Sequence, residues 1–157
     1  MPDTVTIAPL EHASWTASIV GSWIDNEWGR LPIHDYFGST ALGKHSPTTF
    51  PRTFVAIFSG IPIGTVSLLE NDLETSMDLN PWLGCLYVLP QQRKRGIGTR
   101  LVSVAEHFAF SVLKCPRLYL FTDKEQALYA RLSWRFFESV EYRGDRVAIM
   151  DKLNPNL

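Results

Sequence analysis

The stretch from Trp82 to Thr99 constrains this chain more than any other. Trp82-Leu83-Gly84-Cys85-Leu86-Tyr87-Val88-Leu89 is a nearly continuous apolar run; its length and composition suit a strand buried on both faces, and Pro90 stops it. The polar segment Gln91-Gln92-Arg93-Lys94-Arg95-Gly96-Ile97-Gly98-Thr99 follows. Leu101, Ala105, Phe108 and Val112 then mark one face of a helix, with Arg100, Ser103, Glu106 and His107 on the other. Pro116 prevents that helix from continuing, and Arg117 to Phe121 reads as another short strand. Strand, helix, strand implies a crossover connection.

The remaining segments attach to this centre as a mixed α/β plan. Thr4 to Ile7 alternates weakly like a strand, and Trp15, Ile19, Trp23 and Ile24 recur at helical spacing between His12 and Trp28. Ile33 to Pro51, with Gly38, Gly43, Pro47 and Pro51, reads as a long loop. Phe54 to Phe58 and Ile63 to Glu70 form a hairpin across Ser59-Gly60-Ile61-Pro62, and Asn71 to Pro81 is a loop. Lys124 to Leu132 is a short helix with Leu128 and Leu132 at i and i+4, and Trp134 to Tyr142 and Val147 to Met150 close the chain as a hairpin around Arg143-Gly144-Asp145. No period repeats and no linker divides residues 1–157, so a single domain is expected.

Composition excludes whole classes of partner. With 157 residues, 45% hydrophobic, the chain buries a core without disulfides or a structural metal. A net charge of -1 provides no general field for nucleic acid or an anionic membrane. The longest uncharged stretch, Phe54 to Leu69, is broken by glycine and proline and is too short to span a bilayer. Cys85 and Cys115 lie far apart with no secretory signal upstream, so reduced thiols and a cytoplasmic location are expected. His12, His34, His45 and His107 are scattered without zinc-site spacing, and no metal is expected.

The chemistry concentrates at the glycine loop. A strand ending at proline, a basic loop and a helix starting at the second glycine form an anion site, because unpaired helix N–H groups and the helix dipole both favour phosphate there. Gly96 and Gly98 let the backbone approach a ligand. The loop lacks the Gly-Lys-Ser/Thr of a P-loop, and Leu101 stands where a dinucleotide fingerprint needs its third glycine.

Arg93-Lys94-Arg95-Gly96-Ile97-Gly98 resembles the Arg/Gln-x-x-Gly-x-Gly/Ala pattern of the GNAT superfamily of acyl-CoA-dependent N-acetyltransferases, as does the preceding Val88-Leu89-Pro90. A second block, Ala127-Leu128-Tyr129-Ala130-Arg131-Leu132-Ser133-Trp134, resembles that family's late Leu-Tyr-x-x-Leu-Gly-Phe/Trp helix, with Ser133 where glycine is usual. The resemblance implies a mostly antiparallel mixed sheet splayed near Trp82 to Leu89 and flanked by helices. It also implies direct transfer of acetyl from acetyl-CoA to a primary amine of a small molecule or peptide.

By the same resemblance, backbone N–H groups of Arg95, Gly96, Ile97, Gly98 and Thr99 hold the pyrophosphate, with Arg93 and Lys94 in the same cofactor-binding loop. Leu86, Tyr87 and Val88 pair with the pantetheine arm, and a backbone N–H near Leu86 faces the acetyl carbonyl. Tyr129 is the acid for the leaving thiolate, a role its ordinary phenol pKa of about 10 suits. Several members of that family carry a carboxylate at the start of this strand, where Trp82 stands here, so the base is sought among Glu70, Asp72, Glu74 and Asp78, with Glu70 first. A water chain is the alternative to a dedicated base.

The acceptor is expected against the first helix and the loop after it, where Trp23, Asn26, Glu27, Trp28, His34 and Asp35 offer aromatic walls and carboxylates for a cationic amine. Cys85, inside the apolar strand, is expected to be buried and not nucleophilic. The missing strand carboxylate also motivates a rival reading, a non-catalytic acyl-CoA sensor or partner-binding domain. Nothing in the sequence chooses between a monomer and a homodimer.

Overall fold

The computed structural model describes residues 4–31, 33 and 50–157. His34, Asp35 and His45, and nearly all of the expected loop from Ile33 to Pro51, lie outside the described residues.

Side-chain alternation on the strands dictates the layers. In β2 (Arg52–Phe58), Phe54 and Ala56 enter one core cluster while Val55 enters the other. The pattern repeats in β5 (Arg117–Thr122), where Leu118 and Leu120 oppose Tyr119, and in β7 (Asp145–Leu153), where Met150 opposes Ile149. A sheet apolar on both faces needs a cover on each. Helix α2 (Ile97–His107) supplies one through Ile97, Leu101, Val102 and Ala105, and α1 (Ala17–Trp28) supplies the other through Ala17, Val20 and Ile24.

With β1 (Val5–Pro9), β3 (Ile61–Leu69), β4 (Trp82–Val88) and β6 (Arg135–Tyr142), the described strands form a seven-stranded sheet of order β1-β2-β3-β4-β5-β7-β6. Every pairing is antiparallel except β4 with β5. That crossover pair has a single registered position, Trp82 opposite Tyr119. Beyond it the strands part, and the sheet is splayed where the glycine-loop strand ends.

Several boundaries differ from the sequence reading, each for a local reason. Before α1 the chain makes two short 3-10 turns, Leu10–His12 and Ser14–Thr16, which shift the phase of the buried stripe. Trp15 and Ile19 are therefore 59% and 38% exposed, and Ala13, Ala17, Val20 and Ile24 face the core instead. After α2 the chain widens into a π-helical turn, Phe108–Val112, so Val112 rotates off the expected face and is 54% exposed. Asn154 Nδ2 donates to the carbonyls of Phe110 (3.0 Å) and Cys115 (2.9 Å), satisfying acceptors around that turn. The last hairpin turns through Arg143 (φ 52°) and Gly144 (φ 85°), the left-handed pair that two-residue hairpin loops favour, and β7 runs longer than its apolar core suggested. The helix between β5 and β6, α3, is Gln126–Arg131, shorter than expected.

One buried charge ties the N-terminal turn to the sheet. Arg52, 4% exposed, bonds through Nη2 to Glu11 Oε1 at 2.6 Å and lies over the Phe108 ring at 4.8 Å. Removing one member of such a pair leaves an uncompensated charge. Glu11→Ala is therefore expected to cost about 3 kcal/mol of stability, read as a lower urea midpoint with an unchanged m-value.

Candidate active site

The turn from β4 into α2 shows what the glycines are for. Lys94 and Gly96 take left-handed backbone (φ 65° and 76°), and Gly96 is the N-cap of α2, where no side chain caps the helix. The first helical bond there runs from the Arg100 N–H to the Gly96 carbonyl at 3.0 Å. The N–H groups of Ile97, Gly98 and Thr99 therefore point out of the helix end with the positive end of its dipole behind them. A Cβ at Gly96 would meet nothing within 4 Å and one at Gly98 only Val88 Cγ2 at 3.9 Å. The protein itself thus does not crowd Gly98, and the space is left to an incoming group. These residues fit a pyrophosphate.

The basic side chains around this turn are mostly engaged locally. Arg93 Nε donates to the Val88 carbonyl at 2.8 Å and its guanidinium lies 5.5 Å from the Tyr87 ring centre. Arg95 bonds Gln92, and Arg100 reaches the Val5 carbonyl. They shape one anion site and do not form an open basic stripe. Tyr87 stacks in turn against Trp23 at 5.6 Å, so Trp23 joins α1 to β4 and does not line the cleft described next.

Where β4 and β5 part, a cleft of about 1060 Å³ opens. Leu83, Gly84, Cys85 and Leu86 line it consecutively, because the cleft follows the unpaired edge of β4 instead of one face. The β3–β4 register slips between Thr65 and Ser67, so that Cys85 and Leu86 together oppose Val66, and Cys85 has φ 53°. This is a β-bulge, which leaves one residue out of the ladder. Of the acceptor candidates, Glu27 and Trp28 line the same cleft.

Tyr129 reaches the cleft from α3. That helix ends in a Schellman motif: the Ser133 N–H bonds the Ala130 carbonyl, the Trp134 N–H bonds the Tyr129 carbonyl, and Ser133 holds φ 72°. Serine thus performs the turn that glycine usually makes. Glu106 on α2 accepts from Trp134 Nε1 (2.9 Å) and Lys152 Nζ (2.7 Å), and Lys152 also donates to the Leu132 carbonyl. The end of α3 is thereby fixed to the glycine-loop helix, a network between residues too distant in sequence to pair by inspection. Burial, and then the nearby Glu125, push the Tyr129 phenol up to about 12, so it keeps its proton over any physiological pH.

The four carboxylates considered as bases separate by position. Glu70, Asp72 and Glu74 line the cleft while Asp78 is not among the lining residues. Glu70 and Glu74 are exposed. Asp72 lies deeper, over Gly84, and desolvation raises its pKa to about 8. Gly84 was not anticipated as a site residue, although a glycine inside an apolar strand is a recognised mark of close approach. Burial, reinforced by Asp72, drives the Cys85 thiol far above its ordinary range, which leaves it protonated and unsuited to nucleophilic attack. Among the described residues no group of three His, Cys, Asp or Glu is placed to hold a metal, and no helix is long and apolar enough to cross a membrane.

The family model described as acetyltransferase (GNAT) family matches residues 8–134. The chain belongs to the GNAT acetyltransferases. Among solved structures, Arabidopsis thaliana NAA60 in complex with acetyl-CoA superposes with a TM-score of 0.71 at 16% identity, over 96% of this chain and 98% of that one. A mutant form of the spermidine N-acetyltransferase SpeG from Vibrio cholerae gives 0.73 at 17% identity, over 96% and 94%. A GNAT-family acetyltransferase from Streptococcus pneumoniae gives 0.70 at 16% identity, over 96% and 99%. These likenesses share the fold, the mixed, mostly antiparallel sheet splayed beside β4. No curated protein matches the sequence.

A left-handed serine costs more than glycine in the same turn. Ser133→Gly is expected to stabilise this GNAT domain by roughly 0.5–1 kcal/mol, measured by chemical denaturation.

Proposed function

We propose that this GNAT enzyme moves an acetyl group from acetyl-CoA directly to a cationic primary amine of a small molecule or peptide. The observation that carries the reading is the junction at β4. The uncapped α2 N-terminus follows the strand whose splayed, bulged edge lines the cleft that also holds Tyr129. The N–H groups from Arg95 to Thr99 bind the pyrophosphate, and the free edge at Leu86, Tyr87 and Val88 receives the pantetheine amides. The peptide released by the bulge near Leu86 donates to the acetyl carbonyl, where negative charge develops. Tyr129 delivers its proton to the departing sulfur.

The amine side is supported by charge. Glu27, Glu70, Glu74, Asp123, Glu125 and Asp145 surround the cleft against Arg143, which favours an ammonium group over a neutral or anionic acceptor. Trp28 adds an aromatic wall. The SpeG neighbour is named for spermidine, an acceptor of that character. Free Cys85 and Cys115 fit a cytoplasmic location.

Acetyl-CoA and CoA, but not ATP, are expected to raise Tm in a concentration series, as a ligand binding only the folded chain must. No shift with CoA compounds far above a micromolar Kd sinks the reading, and a CoA shift without turnover on any amine returns the non-catalytic sensor. Tyr129→Phe is expected to lower kcat by about 10²-fold or more while acetyl-CoA affinity holds; equal turnover removes Tyr129 as the acid.

A further inference from the structure

We infer that Asp72, and not the exposed Glu70, takes the proton from the acceptor ammonium, an inference that rests on the acetyl-transfer reading above. Asp72 follows the end of β3 on a short loop that is held rigidly: Leu73 is 1% exposed, and the Ser76 N–H closes a turn onto the Leu73 carbonyl at 2.9 Å. The loop lays the Asp72 carboxylate directly over Gly84 of β4. A Cβ built on Gly84 would fall 2.6 Å from Asp72 Oδ2 and 3.2 Å from Cγ, so the glycine is what makes room for the carboxylate. The Leu86 peptide is two residue steps along the same strand, roughly 7 Å away, a separation that an amine nitrogen approaching an acetyl group at Leu86 can bridge.

Asp72 also lacks the partners expected of a structural acid. Among the described residues it forms no hydrogen bond or ion pair, although it lines the cleft. Asp72 is half-buried with its carboxylate open to the cleft, and a carboxyl without a protein partner there is completed by what enters. The titratable and charged groups around the same cleft are Cys85 on β4, Glu27 on α1, Asp123 after β5, Glu125 and Tyr129 at α3, Tyr142, Arg143 and Asp145 at the last hairpin, and Glu70 and Glu74 on its own loop.

Proton affinity then favours this position over a solvated one. Desolvation raises Asp72 to about 8. Moving a proton to it from an alkylammonium of pKa about 10.4 is unfavourable by only about 10²–10³, against about 10⁶–10⁷ for an unperturbed carboxylate. Asp72 carboxylate takes one N–H proton of the ammonium, and the free amine forms a bond to the acetyl carbon. The C–S bond breaks as Tyr129 gives its proton to sulfur. The nitrogen's second proton returns to the Tyr129 oxygen, and Asp72 releases its own to solvent, leaving amide, CoA thiol and one proton.

The test compares the wild-type chain with Asp72→Asn, Glu70→Gln and Gly84→Ala, using acetyl-CoA and either spermidine or a tripeptide with a free N-terminus, followed by thiol release from pH 6 to 10. Wild-type kcat/KM is expected to rise through a limb at about 8 in addition to any limb of the amine. Asp72→Asn removes that limb and lowers kcat at least about 10²-fold with acetyl-CoA binding intact. Glu70→Gln raises KM for the amine but keeps the limb, and Gly84→Ala, which displaces the carboxylate, lowers kcat. A second readout is independent of turnover. Because the folded chain holds the Asp72 proton up to about 8 and an unfolded one only to about 3.8, Asp72 costs stability progressively as pH rises through that window. Asp72→Asn should therefore match the wild-type Tm near pH 4 and exceed it at pH 9.

Asp72→Asn with kcat within about threefold of wild type, or with the limb intact, overturns the assignment while the acetyltransferase reading stands. Loss of the limb in Glu70→Gln overturns it in favour of Glu70. A wild-type chain that acetylates neither probe nor any other primary amine overturns both.

Discussion

The packing of Trp82 between β4 and β5 is the constraint on which the rest depends. Its ring is fully buried, its Nε1 donates to the Leu79 carbonyl at 2.6 Å, and it lies against Tyr119 and Phe121. It holds the two strands together at their one registered position. A side chain this large, fixed at both its polar and apolar ends, closes the bottom of the splay. Above it each strand must find other partners: β4 keeps β3 along one edge and leaves the other edge open. Trp82 brings no titratable group to this position of the strand.

The same physical cause, desolvation, acts on three groups around that opening with different chemical results. For the Tyr129 phenol it strengthens the hold on a proton already present at neutral pH. For the Cys85 thiol it suppresses a thiolate that could compete for the acetyl group. For Asp72 it raises a carboxyl into the range where it can exchange protons with amines. A shift of this size is a loss of folding stability, which a chain tolerates at a functional position and removes elsewhere. A nearest thiol that stays protonated agrees with the direct transfer proposed above.

Particular residues show how far the sequence could be read. The turn at Arg93 to Thr99 was legible because it is a local object: a strand end, two glycines and a helix start lie within a few residues. Tyr129 was legible only through its neighbours in the late helix, and the Ser133 departure proved to be a conformational substitution, serine in the left-handed position. The residues named on the acceptor side divide between the cleft and the sheet. Glu27 and Trp28 line the cleft, but Trp23 is drawn instead to Tyr87, since an aromatic one turn away on a helix takes whichever partner the sheet presents. Ranking the carboxylates after β3 was beyond sequence reasoning, because exposure separates Glu70 from Asp72 over two residues of irregular backbone.

Hydrophobic alternation, the crossover order and the glycine spacing by themselves determined a mixed α/β domain with a helix starting at a glycine turn, because each depends on residues adjacent or nearly adjacent in the chain. Tertiary structure decided which of two helical stripes before Trp28 is buried, where β4 bulges, and how Glu106, Trp134 and Lys152 meet. It also decided that Asp72 rests on Gly84. These are contacts between segments whose approach is set by side-chain volume and strand register, and neither is written in the local pattern.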